Sequence, residues 1–167
     1  LASKYAQSLY GRTYNPSGKM EKDANGNAQF YRDQTDNYHQ QHYQLFWNQY
    51  LNKDWTLNVA LHYTNGKGYY EQYKKDKKLL DYGLDANKTK AKSSLVRQKW
   101  LSNDFFGTIA SLHFNNKKNV EATIGGGWNK YDVDHYGFVT WVAKPVDAYF
   151  PYHRYYDNNT KKTDFNV

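Results

Sequence analysis

Trp55-Thr56-Leu57-Asn58-Val59-Ala60-Leu61-His62-Tyr63-Thr64 decides the fold class. One parity carries Trp55, Leu57, Val59, Leu61 and Tyr63; the other carries Thr56, Asn58, Ala60, His62 and Thr64. Successive side chains of a strand point to opposite faces, so this run is a strand with one apolar and one polar face. The preceding segment repeats the design. Tyr43, Leu45, Trp47 and Leu51 share a parity, broken at Gln49, and His42, Gln44, Phe46, Asn48 and Tyr50 share the other. Asn52-Lys53-Asp54 between them is a short polar turn, so the two segments form a hairpin.

A second hairpin follows. Phe106, Thr108, Ala110, Leu112 and Phe114 alternate with Phe105, Gly107, Ile109, Ser111 and His113. Asn115 to Asn119 is the turn, and Val120, Ala122, Ile124, Gly126 and Trp128 then alternate with Glu121, Thr123, Gly125, Gly127 and Asn129. Gly125-Gly126-Gly127 is no phosphate loop, because no helix pattern follows it; such glycines mark a bend or a close backbone approach. Turns within hairpins are short, whereas the connections outside them are long and polar, with Asn15-Pro16-Ser17-Gly18 and Asn25-Gly26 as turn signals in the lead-in. Short turns at one end and long loops at the other are the layout of an outer-membrane barrel.

The polar parity carries mostly uncharged hydrogen-bonding groups: Gln44, Asn48, Asn58, His62, Ser111, Thr123 and Asn129. The apolar parity has rings towards its ends, at Tyr43, Trp55, Tyr63, Phe114 and Trp128, with Trp47 as the exception. Amphipathic rings settle at membrane interfaces, and about ten residues per tilted strand suffice to cross hydrocarbon. The expected fold is all-β, an antiparallel up-and-down meander forming a partial barrel wall. Residues 1–38 read as an extracellular loop, 39–64 as a hairpin and 65–103 as a second loop. Residues 104–129 read as the second hairpin, 130–160 as a third loop and 161–167 as the start of a further strand.

Composition agrees with wet β structure. Mean hydropathy is −1.05, low enough for disorder, but 19% of residues are aromatic, including 18 Tyr and 5 Trp. With no Cys there is no disulfide framework or thiolate metal site, and no apolar run is long enough for a transmembrane helix. The chain does not begin with Met and ends within the pattern at Phe165-Asn166-Val167, which reads as a piece of a longer protein. The net charge of +7 favours anionic partners, and lysines cluster in the expected loops, at Lys74, Lys75, Lys77 and Lys78 among others.

Several strings resemble TonB-dependent outer-membrane receptors of the Bacteroidetes type: Gly11 to Gly18, Gln34 to Tyr38, Ala60 to Thr64 with Gly66 to Glu71, Val96 to Leu101, and His153 to Asn158. The likeness extends over nearly the whole chain, and its strings identify a family, not a substrate. The resemblance implies a bacterial outer-membrane protein with a plug domain, an energy-coupling box and a barrel of about 22 strands. It implies uptake of a large nutrient such as an iron–siderophore, haem, cobalamin or a glycan. The chain would be about a fifth of such a wall, unable to transport alone. Expected partners are outer-membrane lipid and lipopolysaccharide, and the TonB complex through the missing plug.

No paired-carboxylate, Ser-His-Asp or Cys-His arrangement stands out, so no enzyme activity and no cofactor are expected. His39, His42, His62, His113 and the trio Asp132, Asp134 and His135 have no spacing that makes ligands converge on a metal. Exposed rings bind planar or sugar-like ligands, so the candidate ligand residues are Tyr69, Tyr70, Tyr73, Trp141, Tyr149, Tyr152 and Tyr155, with Lys144 and Arg154 beside them. Phe150 and Tyr156 populate the same loop, and such rings also pack among themselves. The alternative function is a secreted carbohydrate-binding β-sandwich, with two sheets packed face to face. A nucleic-acid module is disfavoured, because Arg is scarce and the charge lies in loops. A wall cut from its barrel is expected to self-associate, or to fold over and hide Leu57, Val59, Leu61, Leu112 and Ile124.

Overall fold

The computed structural model describes residues 18–30, 36–144 and 151–167. Asn15 to Ser17, Gln34, Thr35, Tyr149 and Phe150, all singled out above, lie outside the described residues. The fold is all-β. A two-stranded antiparallel sheet pairs β1 (Lys19–Lys22) with β2 (Ala28–Phe30). A five-stranded antiparallel meander has the order β3 (Asp36–Tyr50), β4 (Trp55–Lys78), β5 (Lys92–Asn115), β6 (Glu121–Val142) and β7 (His153–Asn166), and it is not closed. The strands contribute to two compact units.

Both hairpin turns lie where expected. Asn52 Oδ1 accepts from the backbone N–H groups of Asp54 and Trp55, at 2.9 and 3.1 Å. Asn116 Oδ1 accepts from Lys118, Asn119 and Val120, at 3.0, 3.1 and 3.1 Å. A short acceptor side chain thus satisfies donors that the ladder leaves free. The strands run further than the hydrophobic alternation indicates: β4 continues to Lys78, β5 begins at Lys92 and β7 at His153. Polar cross-strand pairing carries them there, as Gln98 donates to Glu71 at 2.7 Å and Arg97 to Gln72 at 3.0 Å.

Unit 2 comprises His39–Lys67, Leu101–Asp134 and Asn159–Val167. Trp55 meets Phe114 with ring centroids 4.8 Å apart, Asn58 donates to Ser111, and Asn65 donates to Asp104 at 2.9 Å. These pairs share one offset, so the register between β4 and β5 is constant here. One face carries the Trp55–Phe114 pair near the turns. Eight residues on, it carries the Tyr43–Tyr63 stack at 5.9 Å and the Phe106–Trp128 pair at 5.7 Å. The opposite face carries His42 bonded to Thr64, Asn58 to Ser111 and His113 to Thr123. Trp55 and His62 therefore stand on opposite faces, as the alternation requires. At Gly125 a Cβ would lie 2.8 Å from the Ala110 carbonyl oxygen, and at Gly126 2.7 Å from the Asn166 carbonyl oxygen, so close backbone approach requires glycine there.

The apolar face of unit 2 is not folded over. Leu61 is 45% and Ile124 66% exposed, and no second sheet covers them among the described residues.

Unit 1 comprises the described part of Leu1–Tyr38 with Gly68–Trp100 and His135–Asn158, and it has its own core. After β4 the chain turns through a 3-10 segment, Leu79–Tyr82, which ends at Gly83 with φ of 68°. Leu79, Tyr82, Leu84, Leu95, Val139 and Val142 form one buried cluster. Asp85 closes the connection, accepting from Thr89 N–H and Oγ1 at 2.9 Å and from Ala91 N–H at 3.2 Å. The turn between β1 and β2 is built likewise: Asp23 accepts from the backbone of Asn25 and Asn27, and Gly26 takes a φ of 83°.

Candidate functional site

The candidate rings fall into three environments, all within unit 1 among the described residues. Tyr73 and Trp141 line one cavity of about 350 Å³, together with Met20, Glu71, Val96 and Thr140. β4 supplies Glu71 and Tyr73 on one parity, β5 supplies Val96, β6 supplies Thr140 and Trp141, and β1 supplies Met20. Glu71 is only 9% exposed, and its Oε2 accepts from Gln98 Nε2 at 2.7 Å. Gln98 Oε1 in turn accepts from the Trp100 indole at 3.0 Å, so a relay of donors fixes the carboxylate.

Tyr69 belongs to a ladder of rings. It packs on Trp100 at 4.6 Å, Trp100 stacks on Tyr136 at 5.8 Å, and the Arg154 guanidinium covers Tyr136 at 4.8 Å. Arg154 also pairs with Asp157 at 2.7 Å. Tyr152 sits edge-on to Phe138 and is 64% exposed, with a left-handed φ of 61°. These rings order one another across neighbouring strands.

Tyr155 is half-buried and packs against the core. It packs on Tyr82 at 4.8 Å and on Tyr156 at 4.8 Å, and burial pushes its phenol up to about 12. Its hydroxyl is buried and has no well-formed hydrogen bond among the described residues, with the Arg97 guanidinium close enough to offset part of the effect of burial. Tyr82 takes a hydrogen bond from Arg97 at 3.1 Å, and its carbonyl meets His153 Nε2 at 2.8 Å. Tyr70 is 40% exposed, and Lys144 is exposed, with its backbone N–H bonded to Ser93 Oγ.

A second cavity of about 640 Å³ adjoins the first. It shares Met20 and Tyr73 with it and is otherwise lined by Lys19, Lys22, Lys74, Lys75 and Lys77, with Glu21. Lys75 pairs with Glu21 at 3.1 Å, which raises its ammonium above the ordinary value. Burial, and then the neighbouring cations Arg97, Lys77 and Lys99, hold Lys74 below it. Sequence reasoning missed Glu71, Met20, Lys19 and Lys22 as site residues. Glu71 was visible as a carboxylate between Tyr69 and Tyr73 on one strand parity; Lys19, Met20 and Lys22 lay in a lead-in without alternation.

Among the described residues no group of three or more His, Asp or Glu is placed to hold a metal. In unit 2 the Asn159 amide donates to both Asp132 and Asp134, at 2.8 and 2.7 Å, and Lys161 pairs with Asp132 at 3.2 Å. Comparison with protein-family models, curated proteins and solved structures gives no match for this chain.

Proposed function

We propose that this chain is part of the wall of an outer-membrane β-barrel, in a receptor of the TonB-dependent type that takes up a large nutrient. The observation that carries the membrane reading is the ring-bounded face of unit 2. Trp55 and Phe114 bound it at one end, and Tyr43, Tyr63, Phe106 and Trp128 at the other. Eight residues of strand span about 27 Å, or about 21 Å of depth at a tilt of ~40°, close to the ~25 Å apolar band of such barrels. Beyond the second ring pair the same face turns polar. Asp104 accepts from Tyr63 and Asn65, and Lys130 lies over the Phe106 ring. The distribution of burial points the same way. Val133 is the one buried hydrophobic residue of unit 2 among those described; Leu45, Trp47, Leu61, Val120 and Ile124 are exposed on the ring-bounded face, and Phe46 and Ile109 on the other. A face this apolar needs an apolar medium.

The receptor type rests on the resemblance of the sequence strings alone. It carries with it lipopolysaccharide as a neighbour, coupling to TonB through a plug domain, and self-association of the wall when cut free. A soluble β-sandwich requires a second sheet against Leu61 and Ile124, and the described residues of unit 2 supply none. Because the chain has no Cys, single-cysteine labelling tests the membrane reading directly. Ile124→Cys is expected to resist a membrane-impermeant maleimide in intact membranes and to react after solubilisation. Equal and rapid labelling before and after solubilisation would refute the membrane placement.

A further inference from the structure

We propose that the two adjoining cavities of unit 1 bind an anionic saccharide. A sugar ring lies against Tyr73 and Trp141, its hydroxyls donate to Glu71, and its anionic substituent is held by the lysines of the adjoining cleft.

The chemistry of each half dictates the ligand. The smaller cavity, about 350 Å³, is within the range of small-molecule sites, and Met20, Val96 and the two rings give it apolar walls. Its charged group is the nearly buried Glu71, already oriented by Gln98. A carboxylate only accepts hydrogen bonds, so the part of the ligand beside it must donate. A ring with hydroxyl groups on its edge and C–H groups on its face meets both demands. The same carboxylate repels an anion, which must therefore sit elsewhere on the ligand. Across the shared wall of Met20 and Tyr73 five lysines face one carboxylate, Glu21. An organic cation would satisfy Glu71 but would meet those five ammonium groups. Burial, and then the neighbouring charges of Arg97, Lys77 and Lys99, already disfavour the ammonium of Lys74, which lines the cleft with Lys77. An anion bound there relieves it.

Every residue invoked lies in unit 1, so this inference stands or falls separately from the membrane placement of unit 2. A free acidic glycan and a phosphorylated sugar of a surface lipid share the required chemistry, and competition distinguishes them.

The test is calorimetric titration of the protein in detergent micelles with trigalacturonate, and with its fully methyl-esterified, neutral counterpart. The acid is expected to bind at least tenfold more tightly than the ester, with an affinity that falls as salt rises. Lys19→Ala with Lys22→Ala, both on the exposed β1–β2 hairpin, is expected to weaken the acid at least fivefold and leave the ester unchanged. Trp141→Ala is expected to weaken both ligands. Retention of the wild-type circular dichroism and melting temperature shows that each variant is folded. No binding of the acid, equal binding of acid and ester, or acid binding indifferent to Trp141→Ala in a folded variant would each overturn the proposal. In the competition arm, displacement of trigalacturonate by lipopolysaccharide vesicles assigns the site to the surface lipid. Displacement by glucose 6-phosphate with no effect of the vesicles assigns it to a free acidic sugar; either result upholds the chemistry.

Discussion

Two isoleucines stand on opposite faces of unit 2 and allow one substitution to be read twice. Ile124 shares the parity of Trp128 and lies four residues from it, about 13 Å along the strand, near the middle of the ring-bounded band. Ile109 lies on the other face, within reach of Gly127, among the hydrogen-bonding side chains. Both are open to the surroundings, at 66% and 55%. Steric crowding therefore contributes little to either change. In a bilayer Ile124→Arg places a guanidinium near the hydrocarbon midplane, at a cost of about 2–4 kcal/mol. Ile109→Arg places it towards an aqueous lumen, where the cost is within about 0.5 kcal/mol. The expected gap of about 1.5–4 kcal/mol is a factor of about 12 to 700 in the folding equilibrium. In water both changes would be near neutral, because both residues are already solvated. The assay is denaturant unfolding of the protein folded into phospholipid vesicles, followed by tryptophan fluorescence. Two equal losses, or a larger loss for Ile109→Arg, would refute the assignment of faces and with it the membrane reading.

Further expectations concern the turns and the core. Leu95 is fully buried in unit 1, so Leu95→Ala should cost about 2–5 kcal/mol in thermal or denaturant unfolding, without affecting labelling of unit 2 cysteines. Asn116→Ala removes the acceptor for three backbone N–H groups and should cost about 1–2 kcal/mol, against little for Asn119→Ala. Tyr155→Phe should leave stability at neutral pH unchanged or raised, because the hydroxyl it deletes is buried with no well-formed hydrogen bond among the described residues. The Tyr155 phenol titrates at about 12 when folded against an ordinary 10.0. The folded state therefore holds that proton more tightly. This contribution is full below the unfolded value and is lost as pH rises towards the folded one. Melting temperature should fall over that alkaline window in the wild type, and less steeply in Tyr155→Phe.

The hairpins were legible because hydrophobicity alternates from Trp55 to Tyr63 and from Phe106 to Phe114, and because Asn52 and Asn116 bear the acceptors that their turns use. The upper reaches of the strands were not. Over Gly68–Lys78 and Lys92–Asn103 the two parities do not differ in hydropathy. What alternates is partnership: Glu71 with Gln98 and Tyr69 with Trp100 on one face, Gln72 with Arg97 on the other. Cross-strand pairing is invisible until the register is known, so polarity there reads as loop. The candidate site was half legible for the same reason. Tyr73 and Trp141 were found as rings, but Glu71 and Met20 matter only through what the sheet brings beside them. Tyr155, chosen as a loop ring, is half-buried against the core, where it packs on Tyr82.

The two units answer one physical problem in different ways. Any sheet with an apolar face must cover it. In unit 1 the chain supplies the cover itself: the connection after β4 turns back through Leu79, Tyr82 and Leu84 and buries them against Leu95 and Val139. Each large side chain fully buried there contributes about 1.5–3 kcal/mol, which stabilises the unit from within. In unit 2 the connections are four- and five-residue turns, too short to bring any apolar residue back over Leu61 or Ile124. Short turns thus preclude a core built from unit 2's own connections, and among the described residues of that unit nothing covers the exposed rows. That asymmetry, and not the number of aromatic residues, gives the membrane proposal its force. It also makes the proposal vulnerable to one result: a monomer in plain buffer, without lipid or detergent, whose unit 2 strands resist hydrogen exchange as strongly as Leu95 and Val139 do.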